Sequence, residues 1–332
     1  MEQELKVDNF LEENRDKIFI KYSEKELLYD IHLFSISKGR LGKVLNNFFE
    51  EEMYKCKSGK RKLSPMEALE DDSIVENILS YTRSKRDFYT DDDLSNIKSF
   101  LRNGGMYARK VANFPPQEAA RIYGLYTKVG DNIFDMSCGF GSRMSACLLA
   151  RRNYYGTDPN KTLFKKLEEY RQFFKDNNLP LTDLFHSNIV NCNLFCQGSE
   201  DFIPELEGKI DFCFSSPPYF DLESYGDDEG QSIKKFSGYR NWLDGFMKPT
   251  TENCYRYLKI GKFLAINIKN IKGSHYRLFD DTKRIIENID GFEYIETITI
   301  EQTSSKKALF DFRNLNVESQ VKEPVMIFKK VS

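Results

Sequence analysis

The segment Asp211-Phe212-Cys213-Phe214-Ser215-Ser216-Pro217-Pro218-Tyr219-Phe220 carries the most specific chemistry in the chain. Two consecutive prolines cannot continue an apolar strand, and they set a rigid, extended turn behind it. The Ser216 hydroxyl and the Pro217 carbonyl are then two acceptors on a backbone that cannot relax. An exocyclic amino group on a nucleobase is a poor nucleophile, because its lone pair is delocalised into the ring. Acceptors that hold both of its hydrogens out of the ring plane localise that pair and aim it at an electrophilic methyl group. Tyr219 adds a ring that can stack on a base taken out of its helix. An ordinary two-proline loop with an exposed tyrosine is the alternative. The glycine turn upstream weighs against it.

That turn reads Ile133-Phe134-Asp135-Met136-Ser137-Cys138-Gly139-Phe140-Gly141-Ser142-Arg143. Two glycines permit a tight strand-to-helix connection and a close approach of ligand to backbone. Asp135 ends one strand, four residues ahead of Gly139, and Asp158 ends the next, in Tyr155-Gly156-Thr157-Asp158. A carboxylate at the second strand end accepts both hydroxyls of a ribose. A dinucleotide or S-adenosylmethionine could supply that ribose. Pyrophosphate would be repelled by Asp135, and the third dinucleotide glycine would fall on Met144. S-adenosylmethionine has no phosphate and carries an ammonium and a sulfonium, so Asp135 favours it. For this segment alone, two structural glycines and two solvated acids remain an alternative.

Residues of this kind need a scaffold that brings strand ends together. Short apolar runs at 132–136, 153–157, 193–196, 210–214, 263–268, 294–300 and 324–328 read as strands. Helical patterns at 142–151, 161–174 and 240–258 lie between several of them, the last divided or kinked by Pro249. Pro115-Pro116 opens another, with Ala119, Ile122, Tyr123 and Tyr126 on one face. Strands alternating with helices imply a mostly parallel sheet covered on both faces. The last two strands, with no helix evident between them, could pair antiparallel. The first hundred residues are rich in lysine and acids, with short helical stretches such as 66–81. The expected architecture is α/β: a doubly wound, mostly parallel seven-stranded sheet over 105–332, behind a mainly helical N-terminal extension at 1–104.

Composition bounds the function classes. Across 332 residues, 49 basic and 51 acidic residues leave a net charge of −2, which excludes coating of nucleic acid by bulk charge. Hydrophobic residues at 40% and aromatics at 14% suffice for a real core. No stretch approaches the roughly 18 apolar residues of a membrane span. The acidic, amphipathic start lacks an apolar signal core. Seven scattered cysteines without a Cys-x-x-Cys pair read as reduced thiols, so a cytoplasmic protein without a membrane partner is expected. His186, Cys192 and Cys196 lack a second spaced pair, and no metal is expected.

The two motifs, in this order, resemble those of S-adenosylmethionine-dependent DNA amino-methyltransferases of the adenine-N6 and cytosine-N4 type, in a Ser-Pro-Pro-Tyr variant. The resemblance covers residues 105–332 and implies the Rossmann-like class I methyltransferase fold. It implies S-adenosylmethionine at Asp135, Cys138, Gly139 and Gly141, with Asp158 on the ribose and Ser199 and Glu200 near the adenine. Phe114 would close over the methionine end, Ser216, Pro217, Pro218 and Tyr219 would be catalytic, and Glu323 to Phe328 resemble the family's last strand. Its implied partners are double-stranded DNA and a restriction or phage-defence partner. The turn departs from the commoner Asp-Pro-Phe-x-Gly-x-Gly, and serine at 216 leans toward cytosine. No long recognition domain follows the tetrapeptide.

Other chemistries fit less well. Cytosine-C5 methylation needs a Pro-Cys nucleophile, and the chain has no Pro-Cys. Asn-Pro-Pro-Tyr would suit a planar amide or a guanine edge; serine disfavours a protein substrate and leaves an RNA base open. A non-catalytic nucleic-acid-binding module is the third class, disfavoured by intact Asp135, Asp158 and Ser216. For the nucleic acid itself, Lys55, Lys57, Lys60, Arg61 and Lys62 crowd around Gly59 and form either a phosphate-binding loop or a solvated one. Residues 221–239 read as a loop able to close over the base. Lys306, Lys307 and Arg313 are a third candidate.

Overall fold

The computed structural model describes residues 9–59, 61–85, 88–103, 106–179, 190–225, 229–271, 273–302 and 321–332. Ile210–Ser215 is buried at every position and lacks polar alternation, as a strand covered on both faces must be. It is the central strand, β5, of a seven-stranded sheet. The others, in chain order, are β2 (Asn132–Asp135), β3 (Asn153–Thr157), β4 (Cys192–Phe195), β7 (Leu258–Asn267), β8 (Phe292–Gln302) and β9 (Val321–Lys330). The spatial order is β4-β3-β2-β5-β7-β9-β8. Pairs within β4-β3-β2-β5-β7 are parallel, and β9 runs antiparallel to both β7 and β8. This is the expected doubly wound sheet, and its last two strands pair antiparallel, the arrangement the sequence left open.

Helices α1 (Phe10–Ile18), α2 (Glu24–Ser35), α3 (Gly42–Lys55), α4 (Pro65–Glu70), α5 (Asp72–Arg83) and α6 (Asp93–Asn103) form the N-terminal region. They are followed by α7 (Pro116–Tyr126), α8 (Ser142–Leu149), α9 (Lys161–Asp176), α10 (Ser232–Lys235), α11 (Tyr239–Trp242), α12 (Lys248–Tyr257) and α13 (Leu278–Glu287). In α9, Asn160 caps the N-terminus, and Leu163, Leu167, Tyr170 and Phe174 form the buried stripe read from the sequence. In α7 the proline sits in the first turn and Ala119, Ile122 and Tyr123 are buried, while Tyr126 stacks on Phe212 at 5.6 Å.

The helix expected at 240–258, kinked or divided by Pro249, is three pieces: α11, a π-helical turn over Leu243–Met247, and α12 with Pro249 in its first turn. Proline has no N–H for the carbonyl four residues back, so the ladder re-registers there. Leu258, expected at the helix end, opens β7 instead.

The N-terminal region has its own core, built on Phe10, Ile18, Tyr54, Leu69, Ile78, Ile97 and Leu101. Helix α2 and most of α3 face elsewhere: Leu27, Ile31, Val44 and Phe49 pack into the core beside α8 and α9, while Tyr54 near the end of α3 stays in the N-terminal core. Phe49 meets Tyr170 edge-on at 5.2 Å. A second sheet of two strands, β1 (Lys57–Ser58) and β6 (Glu223–Ser224), joins this region to the segment after Tyr219. No described helix is long and apolar enough to cross a membrane.

Candidate active site

Parallel strands open a crevice at their carboxyl ends where strand order reverses, here between β2 and β5. A cleft of about 490 Å³ occupies that place. Gly139, Asp158, Ser199, Glu200, Phe114 and the whole of Ser216–Tyr219 line it. The glycine turn and the tetrapeptide therefore share one cavity, although Gly141 and Ser216 lie 75 positions apart in the chain.

Asp158 follows β3 and accepts hydrogen bonds from the backbone N–H groups of Gly139 (3.1 Å) and Asn160 (3.1 Å). Burial pushes its carboxyl up to about 7, against those two donors. Gly139 has φ +54, and a Cβ there would meet nothing nearer than the Ser137 carbonyl oxygen at 4.0 Å. Such an open backbone beside a buried carboxylate fits a ribose-bearing ligand, which needs acceptors for two hydroxyls and a wall without side chains.

Asp135 does not line the cleft. It is fully buried, and receives Arg143 Nε at 2.9 Å, Tyr154 Oη at 2.8 Å, Ser215 Oγ at 2.8 Å and the Ser137 N–H at 3.2 Å. The direct ammonium contact expected of it is replaced by a contact with Arg143, an internal cation that sequence reading overlooked. Burial works against the Arg143 charge, yet the Asp135 carboxylate holds its pKa above the ordinary arginine value. Arg143 also donates to the Ser137 carbonyl and lies over the Phe114 ring at 5.8 Å.

Cys138 and Gly141 also sit behind the wall. The Cys138 thiol fills the space that Gly156 leaves open: a Cβ at Gly156 would come 2.4 Å from its sulfur. Burial raises that thiol far above its usual pKa. Gly141 adopts φ +69 at the start of α8, pressed against Phe49 and Tyr170. Both residues shape the turn without reaching its ligand side.

Ser199 and Glu200, after β4, are held by Asn253 of α12, whose Nδ2 donates to both carbonyls at 2.9 and 3.0 Å. Ser199 Oγ is 3.0 Å from Thr250 Oγ1, and Lys235 binds the Glu200 carboxylate at 2.7 Å. Phe114 packs edge-on to Phe214 at 5.4 Å, and Ser142 Oγ donates to its carbonyl. After the tetrapeptide, Phe220 takes a left-handed backbone, φ +52, a conformation that costs a non-glycine residue about 1–3 kcal/mol. Rings of Tyr239, Trp242 and Tyr276 hold it at 5.3, 5.8 and 5.0 Å.

The basic cluster divides. Lys55 pairs with Glu51 and Glu52, and Lys57 with Glu67, while Lys62 is exposed. Arg61 lines the cleft; Lys60 lies outside the described residues, as do His186, Lys306, Lys307 and Arg313. Residues 221–239, expected to be loop, contain β6 and α10 in their described part, because β1 supplies a pairing partner. Sequence reading missed Arg109, Asn113, Asn267, Lys269 and Glu323 on the cleft wall. Register explains Asn267: Ser215 pairs with Ile266, which puts Asn267 level with Ser216.

Residues 210–331 match the model of a DNA methylase family, N6_N4_Mtase. No curated protein matches the chain. TrmN from Thermus thermophilus is a similar solved structure, at 14% identity and TM-score 0.41, over 66% of this chain and 49% of that one. This chain thus spans about half of TrmN. A TehB-like SAM-dependent methyltransferase from Corynebacterium glutamicum has 16% identity and TM-score 0.40, covering 78% and 100% of the two chains. An rRNA methylase from Streptococcus thermophilus has 13% identity and TM-score 0.39, covering 67% and 99%. The family match covers 122 of the 332 residues, and it supports S-adenosylmethionine as the cofactor.

Proposed function

We propose that the chain transfers a methyl group to the exocyclic amino group of a flipped base in double-stranded DNA, cytosine N4 or adenine N6. The observation that carries this reading is the shared cleft. Ser216–Tyr219 and the Gly139–Asp158 pair line one cavity. S-adenosylmethionine, when bound, supplies an electrophilic methyl on a sulfonium. Asp158 would accept from its ribose, Gly139 would pass close to it, and Phe114 would cover its methionine end. Ser216 Oγ and the Pro217 carbonyl accept the two hydrogens of the amino group and leave its lone pair free to attack. Tyr219 stacks on the base face. Pro217 and Pro218 keep the acceptors from turning away.

Incubation with duplex DNA and methyl-labelled cofactor, followed by nucleoside mass spectrometry, tests the reading. N4-methylcytosine or N6-methyladenine is the expected product. Label confined to 5-methylcytosine, RNA or protein would overturn it.

A further inference from the structure

Two guanidinium groups from the N-terminal side of the fold reach the cleft. Arg61 follows β1, and Arg109 lies between α6 and α7; both line the cavity with Ser58 and Gly59. The placement of Arg61 is tied to the tetrapeptide. Lys57 pairs with Ser224 and Ser58 with Glu223, and the Gly59 N–H donates to the Leu222 carbonyl at 2.6 Å. Leu222 is three residues beyond Tyr219, so the Arg61 turn is strapped beside the segment that leaves the proposed catalytic residues.

Several neighbouring cations are engaged with carboxylates. Lys55 and Lys57 close on glutamates, and Lys110 is buried against Glu50 at 2.9 Å. The cleft carboxylates Glu200 and Glu323 already hold Lys235 and Lys269. Arg109 makes no ion pair among the described residues. Burial, and then the charge of Arg109, pull the Arg61 pKa down. Two like charges at one cleft repel, and an anion between them turns that repulsion into attraction. The planar guanidinium fork matches the oxygens of a phosphate.

We infer that Arg61 and Arg109 form a clamp for the phosphodiester flanking the base presented to Ser216 and Tyr219. This rests on the reading that the cleft takes a nucleic-acid base. A carboxylate at the methionine end of the cofactor offers related oxyanion chemistry. The strap between Gly59 and Leu222 favours the phosphodiester, because it puts Arg61 on the side of the tetrapeptide.

The test titrates a fluorescent DNA duplex by anisotropy at several salt concentrations, with parallel calorimetry of S-adenosylmethionine. Arg61→Gln and Arg109→Gln should each weaken DNA binding on the order of tenfold. Each should flatten the slope of log affinity against log salt by about 1, irrespective of sequence. Arg61→Lys should restore part of the slope, and cofactor affinity should stay unchanged in all three. In wild-type protein, a neutral methylphosphonate beside the target base should reproduce the loss, and Arg61→Gln should add little to it. Unchanged salt slopes would overturn the clamp, as would lost cofactor affinity with DNA binding retained, which would assign the pair to the methionine carboxylate. RNA binding in place of DNA binding, with the same slope change, would keep the clamp and overturn only the DNA reading. Normal DNA methylation with unaltered slopes would do the reverse.

Discussion

Arg143 of α8, which also lines the cleft, points its Nε at Asp135 Oδ2, 2.9 Å away, in a buried ion pair beneath the glycine turn. Tyr154 of β3 and Ser215 of β5 donate to the same carboxylate. One side chain thus ties three strands and a helix together, and it joins the turn after β2 to the residue just before Ser216. Removing one member of such a buried pair strands the other charge, at a cost of about 3–5 kcal/mol. Asp135→Ala should lower the unfolding free energy by that order in a denaturant titration. The double variant Asp135→Ala with Arg143→Met should lose less than the sum of the two single changes. Unchanged stability with abolished cofactor binding would instead put the carboxylate on the cofactor.

Asp158 links cofactor binding to pH. Its carboxyl is pushed up to about 7 by burial, so near neutrality the ligand-free protein is partly protonated there. An ionised carboxylate accepts from two ribose hydroxyls, and a protonated one has lost an acceptor site. Cofactor affinity should therefore fall as pH drops through about 7, and binding at that pH should release protons. Calorimetry in buffers of different ionisation enthalpy measures the release directly. A raised acid pKa means the folded chain takes up the proton first, so this group's contribution to the ligand-free fold declines between the ordinary aspartate range and about 7. Asp158→Asn should abolish both dependences; a pH-independent wild-type affinity would contradict the assignment.

Gly141 is a packing requirement. An alanine Cβ would lie 2.8 Å from Phe49 Cε2 and 3.1 Å from Tyr170 Cδ1, on a backbone with φ +69. The left-handed conformation costs about 1–2 kcal/mol, and overpacking typically adds about 1–3 kcal/mol. Gly141→Ala should lower the melting temperature clearly. Gly124→Ala, in α7 with nothing near its Cβ, should leave it level or raise it by an amount worth about 0.4–1 kcal/mol. Equal effects of the two substitutions would refute the close approach.

Ser216 and Tyr219 should fail in different ways. Ser216→Ala should leave cofactor affinity nearly intact and lower the single-turnover rate on the order of 10²–10⁴-fold, the range of a positioned hydrogen-bonding group. Tyr219→Ala should weaken engagement of the extruded base by roughly 1–3 kcal/mol. Neither should unfold the domain. Methylation by Ser216→Ala at the parental rate would move the acceptor elsewhere on the cleft wall.

The sheet and its two motifs were legible in local sequence. An apolar run such as 210–214 must be buried on both sides, and a proline pair directly behind it ends the strand, so period and proline chemistry suffice to place Ser216 at a strand end. The glycine turn was equally readable, because Gly139 and Gly141 need backbone that other residues avoid. Tertiary structure decided what the neighbours of those residues are. Asp135 looked like a ligand group because its partner, Arg143, differs in no local way from a solvent-facing arginine. The pairing of β1 with β6 spans more than 160 residues with two residues on each side, too short to leave any periodicity. Arg61 and Asn267 reach the cleft through such long-range register. Sequence spacing records which residue types a strand end presents, and only packing selects the charges that face each other across it.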